Sequence, residues 1–124
     1  MTTLERKAEW VLGLYRMGYF PMADERGKIH VHNADPRAVL PLDEFHVPKR
    51  LARVLRQGRF QVRFNTRFEE VMRGCSQRST TWISPEIIDI YTQLHRQGWA
   101  HSVEAWHEDK LAGGLYGISL GGAF

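Results

Sequence analysis

Apolar residues recur at helical spacing at Leu4, Ala8, Val11 and Tyr15, predicting an amphipathic helix over residues 4–17 with Gly18 as its stop. Tyr19-Phe20-Pro21-Met22 is continuously apolar and reads as a non-helical link. After the turn signal Asp24-Glu25-Arg26-Gly27, the alternation in Lys28-Ile29-His30-Val31-His32 predicts a short strand, and Asn33-Ala34-Asp35-Pro36 predicts another turn. A short extended piece, residues 38–40, follows. Pro48 suits the first turn of a helix over residues 48–57, with Leu51, Val54 and Leu55 as its apolar face and Gly58 at its end. Phe60, Val62 and Phe64 alternate as one face of a strand. Thr66 with Glu69 has the spacing of a capping box, predicting a helix that buries Phe68, Val71 and Met72. Ser84 followed by Pro85 opens the clearest helix, with a buried stripe of Ile87, Ile88, Tyr91 and Leu94 and a stop at Gly98. Residues 101–107 and 111–119 read as a hairpin turning at Glu108-Asp109-Lys110.

This order of elements predicts an α+β fold. The natural division lies near residues 43–47, giving a small amino-terminal domain over residues 1–45 and a second over residues 46–124. The second hairpin strand runs through glycine-rich sequence to Phe124 with nothing to cover it. An edge left bare in this way invites pairing, so the expectation is a sheet completed by a further segment.

Charge changes the picture. Val47 to Arg78 holds nine basic and two acidic residues, whereas the rest of the chain holds eight basic and twelve acidic. A basic block inside an otherwise acidic chain points to an anionic partner, with nucleic acid first. No apolar run approaches membrane-spanning length, and the charged start lacks the apolar stretch of a signal peptide, so a cytoplasmic, membrane-free protein is expected. The single cysteine, Cys75, excludes an internal disulfide and reads as a buried, inert thiol.

Other constellations are weaker. His30 and His32, at strand spacing, would share a face and could ligate a metal with Asp35 or His46, but no second spaced cluster exists, and ordinary histidines are the better reading. His101, Ser102 and Glu104 invite a nucleophile reading, yet on a strand Ser102 and Glu104 share a face that His101 does not, and no G-x-S-x-G elbow is present. Gly113-Gly114 and Gly121-Gly122 match no phosphate-binding loop; a bulge and a close approach in a pocket lining stay open for them. Trp82, just beyond the basic block, offers a plane on which a base could stack.

Five strings, in order, carry a resemblance: Tyr15-Arg16-Met17-Gly18-Tyr19-Phe20-Pro21; Asp35-Pro36-Arg37-Ala38-Val39-Leu40-Pro41; Thr81-Trp82-Ile83 with the helix ending in Leu94-His95; Ala100-His101-Ser102-Val103-Glu104; and Gly113-Gly114-Leu115-Tyr116-Gly117. Together they resemble the bacterial leucyl/phenylalanyl-tRNA–protein transferases. The resemblance implies transfer of Leu, Phe or Met from aminoacyl-tRNA to the amino-terminal Lys or Arg of a protein, which marks it for degradation. It also implies a small amino-terminal domain followed by the first part of a GNAT-like acyltransferase domain, a monomer, and no metal or coenzyme.

Residue by residue, it implies that Trp82 packs against the terminal adenosine, and that Leu115 and Phe124 line the apolar pocket for the transferred side chain. Contacts to tRNA phosphates fall on Lys49, Arg50, Arg53 and Arg56. There are two departures. The family's Trp-Trp-Ser-Pro or Trp-Tyr-Ser-Pro is here Val31-His32-Asn33-Ala34, so His32 stands for a second stacking tryptophan, with less area. The family's Gly-Glu-Ser-Met-Phe and Asp-x-Gln blocks, which carry the catalytic groups, would follow the Phe124 position, so no catalytic residue is expected within the chain and activity of these residues alone is not expected. The rival reading is a non-catalytic RNA-binding remnant. A coenzyme-A acetyltransferase is disfavoured because its pyrophosphate loop is absent.

Overall fold

The computed structural model describes residues 1–124, and the fold is α+β. Helix α1 (Thr3–Arg16) is followed by strands β1 (Tyr19–Ala23) and β2 (Ile29–Asn33), and then by a 3₁₀ turn at Leu42–Glu44. Helix α2 (Lys49–Gln57), strand β3 (Gln61–Phe64) and helices α3 (Phe68–Ser76) and α4 (Pro85–Arg96) come next. Strands β4 (Ala100–His107) and β5 (Lys110–Ile118) close the order. The strands form an antiparallel pair, β1-β2, and an antiparallel sheet in the order β3-β4-β5.

Helix α1 is started by a device that its apolar period does not reveal. Thr2 Oγ1 accepts from the Glu5 N–H and the Glu5 carboxylate accepts from the Thr2 N–H, each at 3.0 Å, so two otherwise unpaired donors are satisfied. Gly18, at φ +86°, lets the chain leave the helix in a left-handed conformation. Residues 19–23, expected as an irregular link, form β1, paired from Tyr19↔Asn33 to Ala23↔Ile29. Pro21 is tolerated because a two-stranded pair is all edge and a missing N–H can face outward. Asp24 holds the turn, since its Oδ1 accepts from the Arg26 and Lys28 N–H groups, each at 2.9 Å.

Two further expectations need correction. Helix α2 begins at Lys49, with Pro48 as its N-cap, and its apolar face finds no cover: Leu51 and Leu55 are exposed and none of its residues is buried. The Thr66–Glu69 capping box does not form. Helix α3 begins at Phe68, and Glu104 of β4 serves its entry instead, accepting from the Thr66 and Arg67 N–H groups at 3.0 and 2.9 Å. A buried carboxylate at the start of a helix is favoured over an exposed local cap because it also meets the positive end of the helix dipole. Helix α4 forms as its cap and proline dictate: Ser84 Oγ accepts from the Ile87 N–H at 3.2 Å, and Ile87, Ile88, Ile90, Tyr91 and Leu94 are buried.

Along β4, Ala100, Ser102, Glu104 and Trp106 are buried and the alternate residues are only partly so, which is the two-residue period of a strand covered on one face. The β4-β5 turn places Glu108 and Asp109 at positive φ, as a two-residue hairpin requires, and a register shift beside Ala105/Trp106 marks a bulge. The opposite sheet face carries Phe60, Val62, Phe64 and Leu115, all exposed. A single apolar cluster joins Ala8, Val11, Leu12 and Ala23 to Phe68, Met72, Tyr91, Leu94 and Ile118. It thus draws on both sides of residue 45.

Glu104 is 1% exposed and also accepts from Ser102 Oγ at 2.7 Å, Trp106 Nε1 at 3.0 Å and the Thr66 hydroxyl. Burial pushes its carboxyl up, but the donors from Thr66, Arg67, Ser102 and Trp106 outweigh burial and hold it down to about 2. Because the folded value lies below the unfolded one, this stabilisation is present above about pH 4.5 and is lost as pH falls toward 2. Glu104→Gln should therefore cost about 2–4 kcal/mol at neutral pH in urea unfolding, and the gap from the parent should narrow between pH 4.5 and 2. A loss below about 1 kcal/mol, or a gap unchanged at pH 3, would contradict this role.

Candidate nucleotide and aminoacyl site

The loop between α3 and α4 carries Trp82 and is fixed at several points. The Ala23 N–H donates to the Trp82 carbonyl at 3.0 Å, tying the loop to the end of β1. Thr81 Oγ1 accepts from the Ile83 N–H at 3.1 Å, and Ser84 then caps α4. Trp82 is thus held by its backbone while its indole stays 40% exposed, leaving a face free to be covered.

Two cavities meet at this residue. The first, of about 320 Å³, is lined by Tyr15, Cys75, Arg78, Thr80, Thr81, Trp82, Ile83 and the β5 segment from Gly114 to Gly117. The second, of about 400 Å³, is lined by Met22, Ala23, Asp24, Glu25, His30 and His32, and shares Thr80, Thr81 and Trp82 with the first. Their charges differ: the first holds one cation and no acid, while the second holds two acids and no Lys or Arg.

Tyr15, Trp82 and Tyr116 bring aromatic rings to the first cavity, and Tyr91 and Phe68 pack behind Tyr116. Trp82 lies 6.5 Å from Tyr116, which meets Tyr91 and Phe68 edge-on at 5.7 and 6.2 Å. The Tyr15 and Tyr91 hydroxyls are hydrogen-bonded at 2.6 Å. Burial raises all three tyrosines above the ordinary phenol value, so at neutral pH they are protonated hydrogen-bonding groups and not bases. The Tyr116 hydroxyl is buried without a partner. The sequence placed Tyr15 and Tyr91 on the apolar faces of their helices and gave none of the three a role in a site, since their convergence depends on α1, α4 and β5 meeting.

Leu115 lines the first cavity and Phe124 does not. A Cβ at Gly117 would come 2.9 Å from the Phe124 ring, so the ring lies over Gly117, and Gly117 and Leu115 share a sheet face by the period of β5. Gly114 is equally constrained: a Cβ there would meet Val71 at 3.0 Å and the Val103 carbonyl at 3.2 Å. Gly113 pairs with Ala105 beside the bulge, and Gly114 lines the first cavity.

His32 lines the second cavity with one face of its ring stacked against Phe20, at 6.1 Å and 27°. His30 bonds through Nε2 to Asp24 Oδ2 at 2.8 Å, and this contact, first among several hydrogen bonds, lowers the Asp24 carboxyl. No group of three or more His, Cys, Asp or Glu stands together as a metal site. Ser102 donates to a carboxylate held ionised by four other donors and faces away from His101, whose Nδ1 pairs with Asn65, so no nucleophile is assembled there. Cys75 is half-buried, not fully buried, and burial raises its thiol, so it stays protonated. Lys49, Arg50, Arg53 and Arg56 stand exposed along α2, none in an ion pair and none on either cavity wall.

Residues 39–124 match the family described as leucyl/phenylalanyl-tRNA protein transferase. Proteins named leucyl/phenylalanyl-tRNA–protein transferase from Gloeobacter violaceus and Rubrobacter xylanophilus are 53% and 56% identical to this chain over 117 residues, covering 94% of it and 61% of their own length. The protein of that name from Hyphomonas neptunium is 51% identical over 122 residues, covering 94% of the chain and 47% of its own length. The chain thus spans about three-fifths or less of these relatives. With most of the chain matched, and at such identity, it belongs to the leucyl/phenylalanyl-tRNA–protein transferase family, a family of aminoacyltransferases.

Proposed function

We propose that these residues form the seat for the aminoacylated end of a tRNA in an enzyme that moves Leu, Phe or Met to the amino-terminal Lys or Arg of a protein. The observation that carries this reading is the exposed tryptophan Trp82, standing as a common wall between two cavities, one with His32 and the other with Leu115. The terminal adenine packs on Trp82, with the His32 imidazole as a smaller second surface. The transferred side chain enters the first cavity toward Leu115, and Phe124 extends the same sheet face. An apolar seat selects Leu, Phe and Met by shape and burial, because these side chains offer no polar handle.

In the reaction, the acceptor's α-amine attacks the ester carbonyl, the C–N bond forms, the 3′ oxygen departs, and one proton passes from the amine to that oxygen. The tyrosines of the first cavity are held neutral by burial and cannot take this proton as phenolates. The carboxylate and amide that assist the attack are assigned, by the family resemblance, to blocks outside these residues. The chain alone is accordingly a substrate-gripping part, without metal or coenzyme, of a cytoplasmic enzyme that is a monomer when complete. The small amino-terminal domain over 1–45 and the first part of a GNAT-like domain over 46–124 belong to the same proposal. The unpaired cations of α2 grip the tRNA backbone away from the reacting end.

Trp82→Ala should weaken binding of leucyl-tRNA by about 1–3 kcal/mol, read by filter binding or fluorescence anisotropy; unchanged affinity would remove Trp82 from the site. Arg53→Glu should weaken tRNA binding and flatten the slope of log affinity against log salt, whereas an unaltered slope would take α2 out of the interface.

A further inference from the structure

Arg78 has no use in the account so far. Arg78 is exposed, and its guanidinium makes no ion pair and no side-chain hydrogen bond, so its donors are free. It nevertheless lines the first cavity, and it is the only Lys or Arg on the wall of either cavity that Trp82 divides. Its charge bears on the cavity interior, where it lowers the Cys75 thiol against the larger effect of burial.

Building on the seat described above, we propose that Arg78 binds the 5′-phosphate of the nucleotide whose base packs on Trp82. A guanidinium presents a planar fork of donors that matches two phosphate oxygens at once. Thr80 and Thr81, which lie between Arg78 and Trp82 in the sequence, add hydroxyl-bearing residues to both cavities. The second cavity repels an anion, because Asp24 and Glu25 line it, and Asp24 is held ionised by its hydrogen bonds to His30 and the turn backbone. Charge therefore directs the phosphate to the Arg78 side and sets the orientation of the nucleotide across Trp82. The cations of α2 line neither cavity, so they are free to serve phosphates farther along the chain of a tRNA. Arg78 is thus a positioning residue for the reacting end, distinct from the α2 cations that grip the backbone.

The test is calorimetric titration of the 124-residue chain with adenosine and with adenosine 5′-monophosphate at low salt. The monophosphate should bind about tenfold more tightly, a preference that shrinks as salt rises. Arg78→Gln should bring the monophosphate down to the adenosine level while leaving adenosine binding unchanged, Arg78→Lys should retain part of the preference, and Trp82→Ala should weaken both ligands. Equal binding of the two ligands by the parent chain, or a preference that survives Arg78→Gln, overturns the assignment of Arg78 alone. Failure of either ligand to bind overturns the nucleotide seat and the Arg78 proposal with it.

Discussion

Glu104 is the contact on which the arrangement of the sheet-bearing part depends. One buried carboxylate takes donors from the strand that carries it, through Ser102 and Trp106, and from the segment entering α3, through Thr66 and Arg67. Leaving such a group unpaired in the interior would be strongly destabilising, so the positions of β4 and α3 are coupled. Helix α3 then sets Val71 against Gly114 and places Cys75 on the cavity wall, while β5, paired to β4, brings Leu115 and Tyr116 to the same place. A buried structural carboxylate that lines neither cavity in this way bears on the shape of the first one.

The other half of the site is tied in by the backbone. The hydrogen bond from Ala23 to Trp82 connects the β1-β2 pair to the loop before α4, and the Tyr15–Tyr91 hydrogen bond connects α1 to α4 beneath it. Trp82 is consequently held at its backbone by β1 and near Tyr116 by packing, and the residue stays partly exposed. In the proposed seat, this preorganisation would suit a flexible single-stranded end, because the protein side has little left to order. The two cavities that Trp82 separates differ in charge, and under the proposed reading this gives direction to a stacking contact that by itself has none.

What was legible in the sequence was local or periodic. Ser84-Pro85 with its apolar stripe specified α4, and the alternation of Ala100–His107 specified β4 with its buried face. What was not legible depended on partners distant in the chain. Thr66 and Glu69 have a sound capping pattern, but a carboxylate 38 residues away from Thr66 takes the donors instead. Residues 19–23 show no alternation, so their strand exists only through pairing with residues 29–33 across the Asp24 turn. The apolar period of α2 is real, yet period alone does not say what covers a face, and here Leu51 and Leu55 stay in the open. Of the residues that the resemblance singled out, Trp82, His32 and Leu115 line the two cavities, whereas Phe124 lies over Gly117. Tyr91 and Arg78 had no local signal, because a stripe residue acquires its polar partner and a loop cation its cavity only from the tertiary fold.

The central claim is that this chain recognises the acylated end of a tRNA and not nucleic acid in general. The most direct measurement compares its affinity for leucyl-tRNA with its affinity for the same tRNA after deacylation, at one salt concentration. The account predicts tighter binding of the acylated form, with the difference removed by Leu115→Asp. Equal affinity for the two forms would contradict it and would leave a basic surface that grips RNA without reading its end.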